Sequence, residues 1–164
     1  MRRIIAVLVE NEAGALSRVT GLFAQRNYNI ESLTVAPTED KTLSRVTITT
    51  RGSEQHIEQI TKQLNKLVEI VKVVDLCESA HIERELMLIK IHTGNNDARA
   101  EVTRTVEIFR GQVVDVTAEY YTVLLTGPSE KIDAFIRAID SSQVVEVVRS
   151  GVAGISRGDK ILTV

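Results

Sequence analysis

The loop at residues 11–16, with the sequence NEAGAL, is the part of the chain best suited to bind a small ligand. An apolar run precedes it and an amphipathic pattern follows it, so the loop joins a strand to the start of a helix. The first backbone N–H groups of a helix have no intrahelical partner and can bind a carboxylate. Gly14 lets a ligand approach the backbone, and the amide of Asn11 can hydrogen-bond an amine. An ordinary strand-to-helix turn also uses a glycine in this way, so spacing alone leaves both interpretations open.

No group of side chains has the spacing of a catalytic or metal site. The histidines His56, His81 and His92 lie far apart in the sequence, and none has a second histidine or cysteine at ligand spacing. The glycine-rich segment 149–160 lacks the lysine and hydroxyl order of a P-loop, and no helix follows it, so we interpret it as a docking tail. We therefore predict that this chain has no catalytic residue, no metal site and no cofactor.

Composition narrows the classes of partner. The chain has 164 residues, 43% of them hydrophobic, and a formal net charge of -2, which indicates a folded protein without a basic surface for nucleic acid or an anionic membrane. The single cysteine, Cys77, cannot form an intrachain disulfide. The apolar run after the first basic residues stops at Glu10, too early for a signal peptide, and no run is long enough to cross a bilayer. We expect a cytoplasmic protein.

Hydrophobic periodicity predicts the same order of elements in both halves of the chain. In the first half it predicts strands at 3–9, 30–35, 44–50 and 70–74, with one helix after Gly14 and a second helix capped by Ser53. In the second half it predicts strands at 86–91, 113–116, 121–125 and 144–148. The intervening helices are expected to start at Asn96 or Asp97 and at Pro128, and Gly111 is expected to end the first of them.

These elements predict an α+β fold of two tandem βαββαβ ferredoxin-like units, with domains at 1–78 and 79–164 and a linker at 78–85. Right-handed crossovers place both helices of such a unit on one face of its antiparallel sheet. The first strand is apolar on both alternating sets of residues, so its other face must also be covered, by the other half of the chain or by another chain. We expect an obligate oligomer.

Residues 11–19, NEAGALSRV, and residues 26–35, RNYNIESLTV, resemble the ACT domain of acetolactate synthase small subunits. The similarity continues at residues 43–45, 63–67, 108–111 and 149–151, so it covers nearly the whole chain. The resemblance implies that the first unit is an ACT domain and that two small subunits form a homodimer, with their ACT domains joined edge to edge.

The resemblance also implies a branched-chain amino acid, usually valine, bound where the two ACT domains meet. The implied effector pocket consists of Asn11, Gly14, Ala15 and Leu16 from one chain and of Asn29 and Ile30 from the other. The helix start, the two asparagine amides and the apolar pair of Leu16 and Ile30 suit the carboxylate, ammonium and isopropyl groups of valine. Valine, leucine and isoleucine differ by about one methylene, about 1–3 kcal/mol, so the sequence does not distinguish among them.

The family's role is regulatory. The resemblance implies a large catalytic subunit as partner, which uses thiamine diphosphate, Mg²⁺ and FAD to join two pyruvates, or pyruvate and 2-oxobutyrate, in branched-chain amino acid biosynthesis. The small subunit activates that transferase and confers feedback inhibition, and none of its cofactors is expected on this chain.

Two other functions remain as alternatives at this stage. A small enzyme of the acylphosphatase type would need an arginine in the first loop, and residues 11–14 contain none. A free-standing transcriptional regulator with tandem ACT domains would need a DNA-binding element, and neither a helix-turn-helix nor a basic patch is visible.

Overall fold

The structure, a computed structural model, describes residues 1–164 and contains the predicted βαββαβ order twice. The first series is β1 (Arg2–Glu10), α1 (Ala15–Gln25), β2 (Ile30–Pro37), β3 (Leu43–Arg51), α2 (Glu54–Leu64) and β4 (Ile70–Asp75). The second is β5 (His81–His92), α3 (Asn96–Ile108), β6 (Gln112–Val116), β7 (Tyr120–Gly127), α4 (Ser129–Ala138) and β8 (Val144–Arg149). A short 3-10 turn (Leu76–Glu78) follows β4, and a further strand, β9 (Ala153–Ser156), follows β8. The α+β prediction is confirmed.

The compact units differ from the predicted domains 1–78 and 79–164 at their boundaries. The first unit contains residues 1–82 together with 152–164, and the second contains residues 83–151. The final segment belongs to the first unit because Val152, only 3% exposed, lies in a small apolar cluster with Ile4, Ala6 and Leu76. The predicted linker is also shorter than expected, since β5 already begins at His81.

The first unit has an antiparallel sheet in the order β2-β3-β1-β4, with β1 at its centre. Strand β1 is apolar on both alternating sets because both of its faces are covered. Ile5, Val7 and Val9 belong to a core with α1 and α2. Ile4 and Ala6, which point to the other face, are 0% exposed.

The helices of the first unit begin and end largely as predicted. Ser53 caps α2, and its hydroxyl accepts a hydrogen bond of 3.3 Å from the backbone N–H of His56. Helix α1 ends at Gln25, after which Asn27 adopts a φ of 55°. The backbone N–H of Tyr28 then donates to the carbonyl of Phe23, which closes the end of the helix in a Schellman-type turn.

The second unit has the sheet order β6-β7-β5-β8. Its core contains Met87, Ile89 and Ile91 of β5 together with apolar residues of α3 and α4. The same alternation as in β1 therefore buries one face of the central strand against two helices.

Three predicted helix ends in the second unit are wrong by one residue. Asn95, and neither Asn96 nor Asp97, caps α3 through a bond of 2.8 Å from the N–H of Ala98 to its side-chain oxygen. Pro128 is the N-cap of α4 and not its first residue. At the other end of α3, the residue with positive φ is Arg110, at 56°, directly before Gly111.

Candidate functional site

The start of α1 offers two unpaired backbone donors. Gly14 occupies the N-cap position with φ 88° and ψ -13°, and no side chain caps the helix. The N–H of Ala15 donates to the carbonyl of Glu12, and the N–H of Arg18 donates to that of Gly14. The backbone N–H groups of Leu16 and of the residue after it therefore have no acceptor within the chain. This arrangement suits a carboxylate placed at the helix start.

Asn11 is held against the hairpin between β2 and β3. Its side-chain Nδ2 donates to the carbonyl of Lys41 over 3.0 Å, and its backbone N–H donates to the carbonyl of Thr42 over 2.7 Å. The side-chain oxygen of Asn11 makes no hydrogen bond. This oxygen is therefore held in position and can accept a hydrogen bond from an ammonium group.

The two apolar residues of the first loop have different environments. Ala15 is only 4% exposed and belongs to the core beneath α1, so it contributes backbone and little surface. Leu16 is 39% exposed and presents a large apolar side chain beside the free N–H groups. Of the two, Leu16 is the one that can contact a ligand side chain.

Asn29 and Ile30 lie at the start of β2, which is an edge strand of the first sheet. The carbonyl of Asn29 accepts a bond of 2.6 Å from the hydroxyl of Thr50, while its side chain is exposed and forms no hydrogen bond. Ile30 pairs with Thr50 and packs partly against the core of the unit.

One chain does not bring the two groups of predicted site residues together. Glu10, which precedes Asn11, lies opposite Leu43, whereas Ile30 lies opposite Thr50, which in turn pairs with Arg3. The groups therefore lie at opposite ends of the sheet, separated by about seven residues of β1, or about 20 Å. A pocket that contains both groups must take one from each of two chains.

Arg18 lies beside the candidate site, and it was not predicted as a site residue from the sequence. A Cβ atom on Gly14 would lie 3.3 Å from Nη1 of Arg18, so the guanidinium folds back over the loop. Nη2 of Arg18 forms an ion pair with Glu69, whose pKa is lowered by its own backbone hydrogen bond and by Arg18. The spacing could have indicated it, because a residue four positions after Gly14 covers the preceding turn of the helix.

The structure contains no cluster of three or more His, Cys, Asp or Glu residues that could hold a metal ion. Cys77 is partly buried, and burial is the main cause that raises the pKa of its thiol, so it lacks the environment of a reactive thiolate. No helix is both long and apolar enough to span a membrane.

Two family models match the chain, one in each unit. Residues 5–72 match the ACT domain described as like that of the AHAS small subunit, and residues 84–158 match the model described as the small subunit of acetolactate synthase. Among curated relatives, the isozyme 3 small subunits of acetolactate synthase from Salmonella typhimurium and Escherichia coli are each 61% identical over 99% of both chains.

A solved structure agrees with these relatives. The acetolactate synthase small subunit of Thermotoga maritima superimposes with a TM-score of 0.88 at 39% identity, and the match covers 98% of this chain and 99% of the other. Identity of this level over nearly the full length of both proteins shows common ancestry as well as a common fold. The chain belongs to the family of acetolactate synthase small subunits, and its first unit is an ACT domain.

Proposed function

We propose that this chain is the regulatory subunit of an acetolactate synthase and binds a branched-chain amino acid, with valine as the first candidate, between two copies of its ACT domain. The observation that carries the proposal is the position of the predicted residues. Two groups suited to one amino acid lie at opposite ends of the same sheet, beside an edge strand that a second copy can pair with.

Edge-to-edge pairing of β2 with its copy would complete the site. In an antiparallel pair, the start of one β2 lies beside the end of the other. The end of β2 is close to Asn11, because Asn11 is hydrogen-bonded to the hairpin that follows β2. Asn29 and Ile30 of one copy would therefore face Asn11 and Gly14 of the second copy. Symmetry would give two equivalent sites per dimer.

The available groups match the three parts of a valine zwitterion. The free N–H groups at the start of α1 can bind the carboxylate, with Arg18 nearby as a favourable charge. The side-chain oxygens of Asn11 and Asn29 can accept from the ammonium, and Leu16 and Ile30 can cover the isopropyl group. Burial of that group contributes about 1.5–3 kcal/mol, and the charged hydrogen bonds contribute a few more, which fits about micromolar to millimolar affinity.

The regulatory role follows from coupling between this site and a catalytic partner. On this proposal the large subunit holds thiamine diphosphate, Mg²⁺ and FAD, while this chain raises its activity and makes it sensitive to the amino acid. An effector can shift the complex only by the difference in its affinity for the active and inhibited arrangements. Loss of the effector site is therefore expected to remove inhibition and to leave activation in place.

Reconstitution with the matching large subunit tests the regulatory role. We expect the two chains to co-elute on gel filtration, the rate of acetolactate formation to rise on mixing, and valine to inhibit only the mixture. The small subunit alone is expected to show no turnover. Separate elution, with an unchanged rate and valine response, would show that the partner or the role is wrong.

Two variants test the position of the effector site. Asn29→Ala removes one of the side-chain amides that would bind the charged ligand, and it is expected to weaken valine inhibition about 10-fold to 100-fold with near-normal activation.

Gly14→Asp places a carboxylate where that of the effector would bind and is expected to abolish the heat of valine binding in calorimetry. Because φ at Gly14 is 88°, Gly14→Asn is the matched control: it has a similar backbone cost without the charge. Normal valine binding by Gly14→Asp would place the effector elsewhere.

A further inference from the structure

A cavity lies on the face of the first sheet that points away from α1 and α2. It is lined by residues 34–37 of β2, by Arg45 and Thr47 of β3, by the hairpin between these strands and by residues 153–155 and 162–164 of the final segment. We call it the rear cleft. Its volume is about 680 Å³, which lies within the range of about 300–1,000 Å³ that is usual for small-molecule sites.

Arg45 gives the rear cleft a cation that forms no ion pair within the chain. Its side chain is partly buried, and burial lowers its pKa. Nη2 donates to the carbonyl of Gly154 over 2.7 Å, and this is its only hydrogen bond to the protein. A guanidinium has five N–H donors, so most of them remain for a ligand. A partly desolvated guanidinium with free donors favours an anion that accepts two hydrogen bonds from it, as a carboxylate does.

The walls around Arg45 are mostly apolar. Leu8 forms part of the floor, and Val35 and Ile155, which are 41% and 56% exposed, form part of the sides. Thr47 also lines the cleft; it is 3% exposed, and its hydroxyl forms no hydrogen bond. An apolar cleft with a few convergent polar groups is the usual character of a small-molecule site.

The hairpin limits the charge that a ligand can have. Glu39 and Asp40 lie at the cleft. Asp40 accepts hydrogen bonds of 2.6 Å from the hydroxyl and 2.9 Å from the N–H of Thr42, which lower its pKa. Two negative side chains against one arginine disfavour phosphates and dicarboxylates, because like charges repel. A single carboxylate with an aliphatic body remains as the class that fits the cleft.

We propose that the rear cleft binds a small aliphatic monocarboxylate, with the carboxylate on Arg45 and the aliphatic group against Val35 and Ile155. This site is separate from the proposed effector site, because it lies within one copy and on the opposite face of the sheet from the helices. It needs neither Asn29 nor a second chain.

The test uses isovalerate as the probe, because it has a branched aliphatic body and a carboxylate but no ammonium group for Asn11 or Asn29. Amide NMR spectra of the full-length chain are recorded during titration with isovalerate and, in parallel, with isovaleramide, the neutral isostere. We expect saturable shifts of Thr34, Thr47 and Ile155 with isovalerate, and at least about 10-fold weaker binding of isovaleramide.

Variants of Arg45 sharpen the result. Arg45→Met keeps the length of the side chain and is expected to weaken isovalerate binding about 10-fold or more, whereas Arg45→Lys keeps the charge and is expected to retain much of it. Asn29→Ala, which targets the proposed effector site, is expected to bind isovalerate normally. Absence of saturable shifts in the unmodified protein up to about 20 mM, equal affinity for the amide, or shifts confined to the first loop would each overturn the proposal. None of these results depends on valine binding.

Discussion

The two units have an ion pair at the same place in their sheets, but with the charges exchanged. In the first unit Arg3 of β1 pairs with Asp75 of β4, and in the second unit Glu85 of β5 pairs with Arg149 of β8. The strand registers match, since Ile5 lies opposite Asp75 just as Met87 lies opposite Arg149. Each unit therefore has opposite charges at these two positions, with the basic residue on the central strand in the first unit and on the edge strand in the second.

The two pairs differ in how completely they are bonded. Nη1 of Arg3 lies 3.3 Å from Oδ2 of Asp75, and Asp75 also accepts a hydrogen bond from the backbone N–H of Cys77. Arg149 donates to both oxygens of Glu85, over 2.7 Å and 2.9 Å, and also to Asp133. Glu85 further accepts from the hydroxyl of Ser129. The second pair thus belongs to a network of four hydrogen bonds, three of which come from Arg149. In the first pair, Asp75 keeps the backbone hydrogen bond from Cys77 without Arg3.

The faces of the two sheets opposite the helices also differ. Ile4 and Ala6 of β1 are fully buried, whereas Leu86 and Leu88, at the corresponding positions of β5, are 41% and 38% exposed. The first face is covered by Leu76 and by the segment from Val152 onward. Two sheets of one topology thus have different rear surfaces because a short final segment packs on only one of them.

We expect the largest loss of stability from a charge placed on the rear face of a sheet, which is the face opposite its helices. Ala6→Glu buries a carboxylate without a partner and is expected to destabilise the first unit by more than about 3 kcal/mol, whereas Leu88→Glu is expected to cost about 1 kcal/mol or less. Hydrogen exchange of peptides from β1 and β5 at increasing urea reports the two units separately. Similar losses in both variants would mean that the second face is covered as well.

Removal of each arginine tests the difference between the ion pairs. Arg149→Met leaves Glu85, which is 5% exposed, without its main partner and is expected to cost about 2–3 kcal/mol. Arg3→Met is expected to cost less, about 1–2 kcal/mol, because Asp75, although only 7% exposed, keeps a backbone hydrogen bond. The free energy of unfolding of each unit in urea measures both costs. A larger loss in Arg3→Met would reverse our ranking of the pairs.

Acid should weaken the second ion pair. The hydrogen bonds from Arg149 are the main cause that lowers the pKa of Glu85 below the usual value of about 4.3. A carboxylate with a lowered pKa contributes stability that is present above its unfolded pKa and is lost as the pH falls through its folded pKa. The stability difference between the unmodified protein and Glu85→Gln is expected to be full near pH 6 and to shrink below about pH 4. A difference that does not change with pH would exclude this linkage.

The smallest expected effect concerns the ends of α1 and α3. Both helices end in the same turn with a left-handed residue, Asn27 in the first unit and Arg110 in the second. Asparagine adopts this conformation more easily than arginine does. Arg110→Gly is therefore expected to raise stability by about 0.5–1 kcal/mol, and Asn27→Gly to change it by a few tenths. Equal gains of the two variants in thermal unfolding experiments would show that arginine and asparagine adopt the left-handed conformation at the same cost.

The order of the elements could be predicted from the sequence because each half alternates between periods of two and 3.6 residues. Helix ends were less predictable, as Arg110 shows: a glycine stands at position 111, yet the left-handed turn falls one residue earlier. Residues 153–156 were predicted as part of a tail because that segment is short and rich in glycine. Its strand forms only through long-range contacts, which periodicity does not reveal.

The candidate site was predictable only in part. The free donors at the start of α1 follow from the position of Gly14 after a strand, since every helix start leaves such groups. The pairing of this end with Asn29 has no signal in the sequence pattern, because it depends on a second chain and was expected only from the family resemblance. Arg18 was not predicted, although its place four positions after Gly14 indicates that its side chain covers the start of the helix.

The final segment makes the second unit an insertion within the first. Residues 83–151 interrupt a unit that needs residues 152–164 to cover Ile4 and Ala6, and the insertion leaves and returns at adjacent points, where the N–H of Arg157 donates to the carbonyl of Ala80. The first unit therefore completes its rear face only with residues that follow the whole second unit in the chain. Contacts between such distant segments form slowly, because the long intervening stretch of chain must be closed into a loop first, so the rear face of the ACT sheet is expected to form late in refolding.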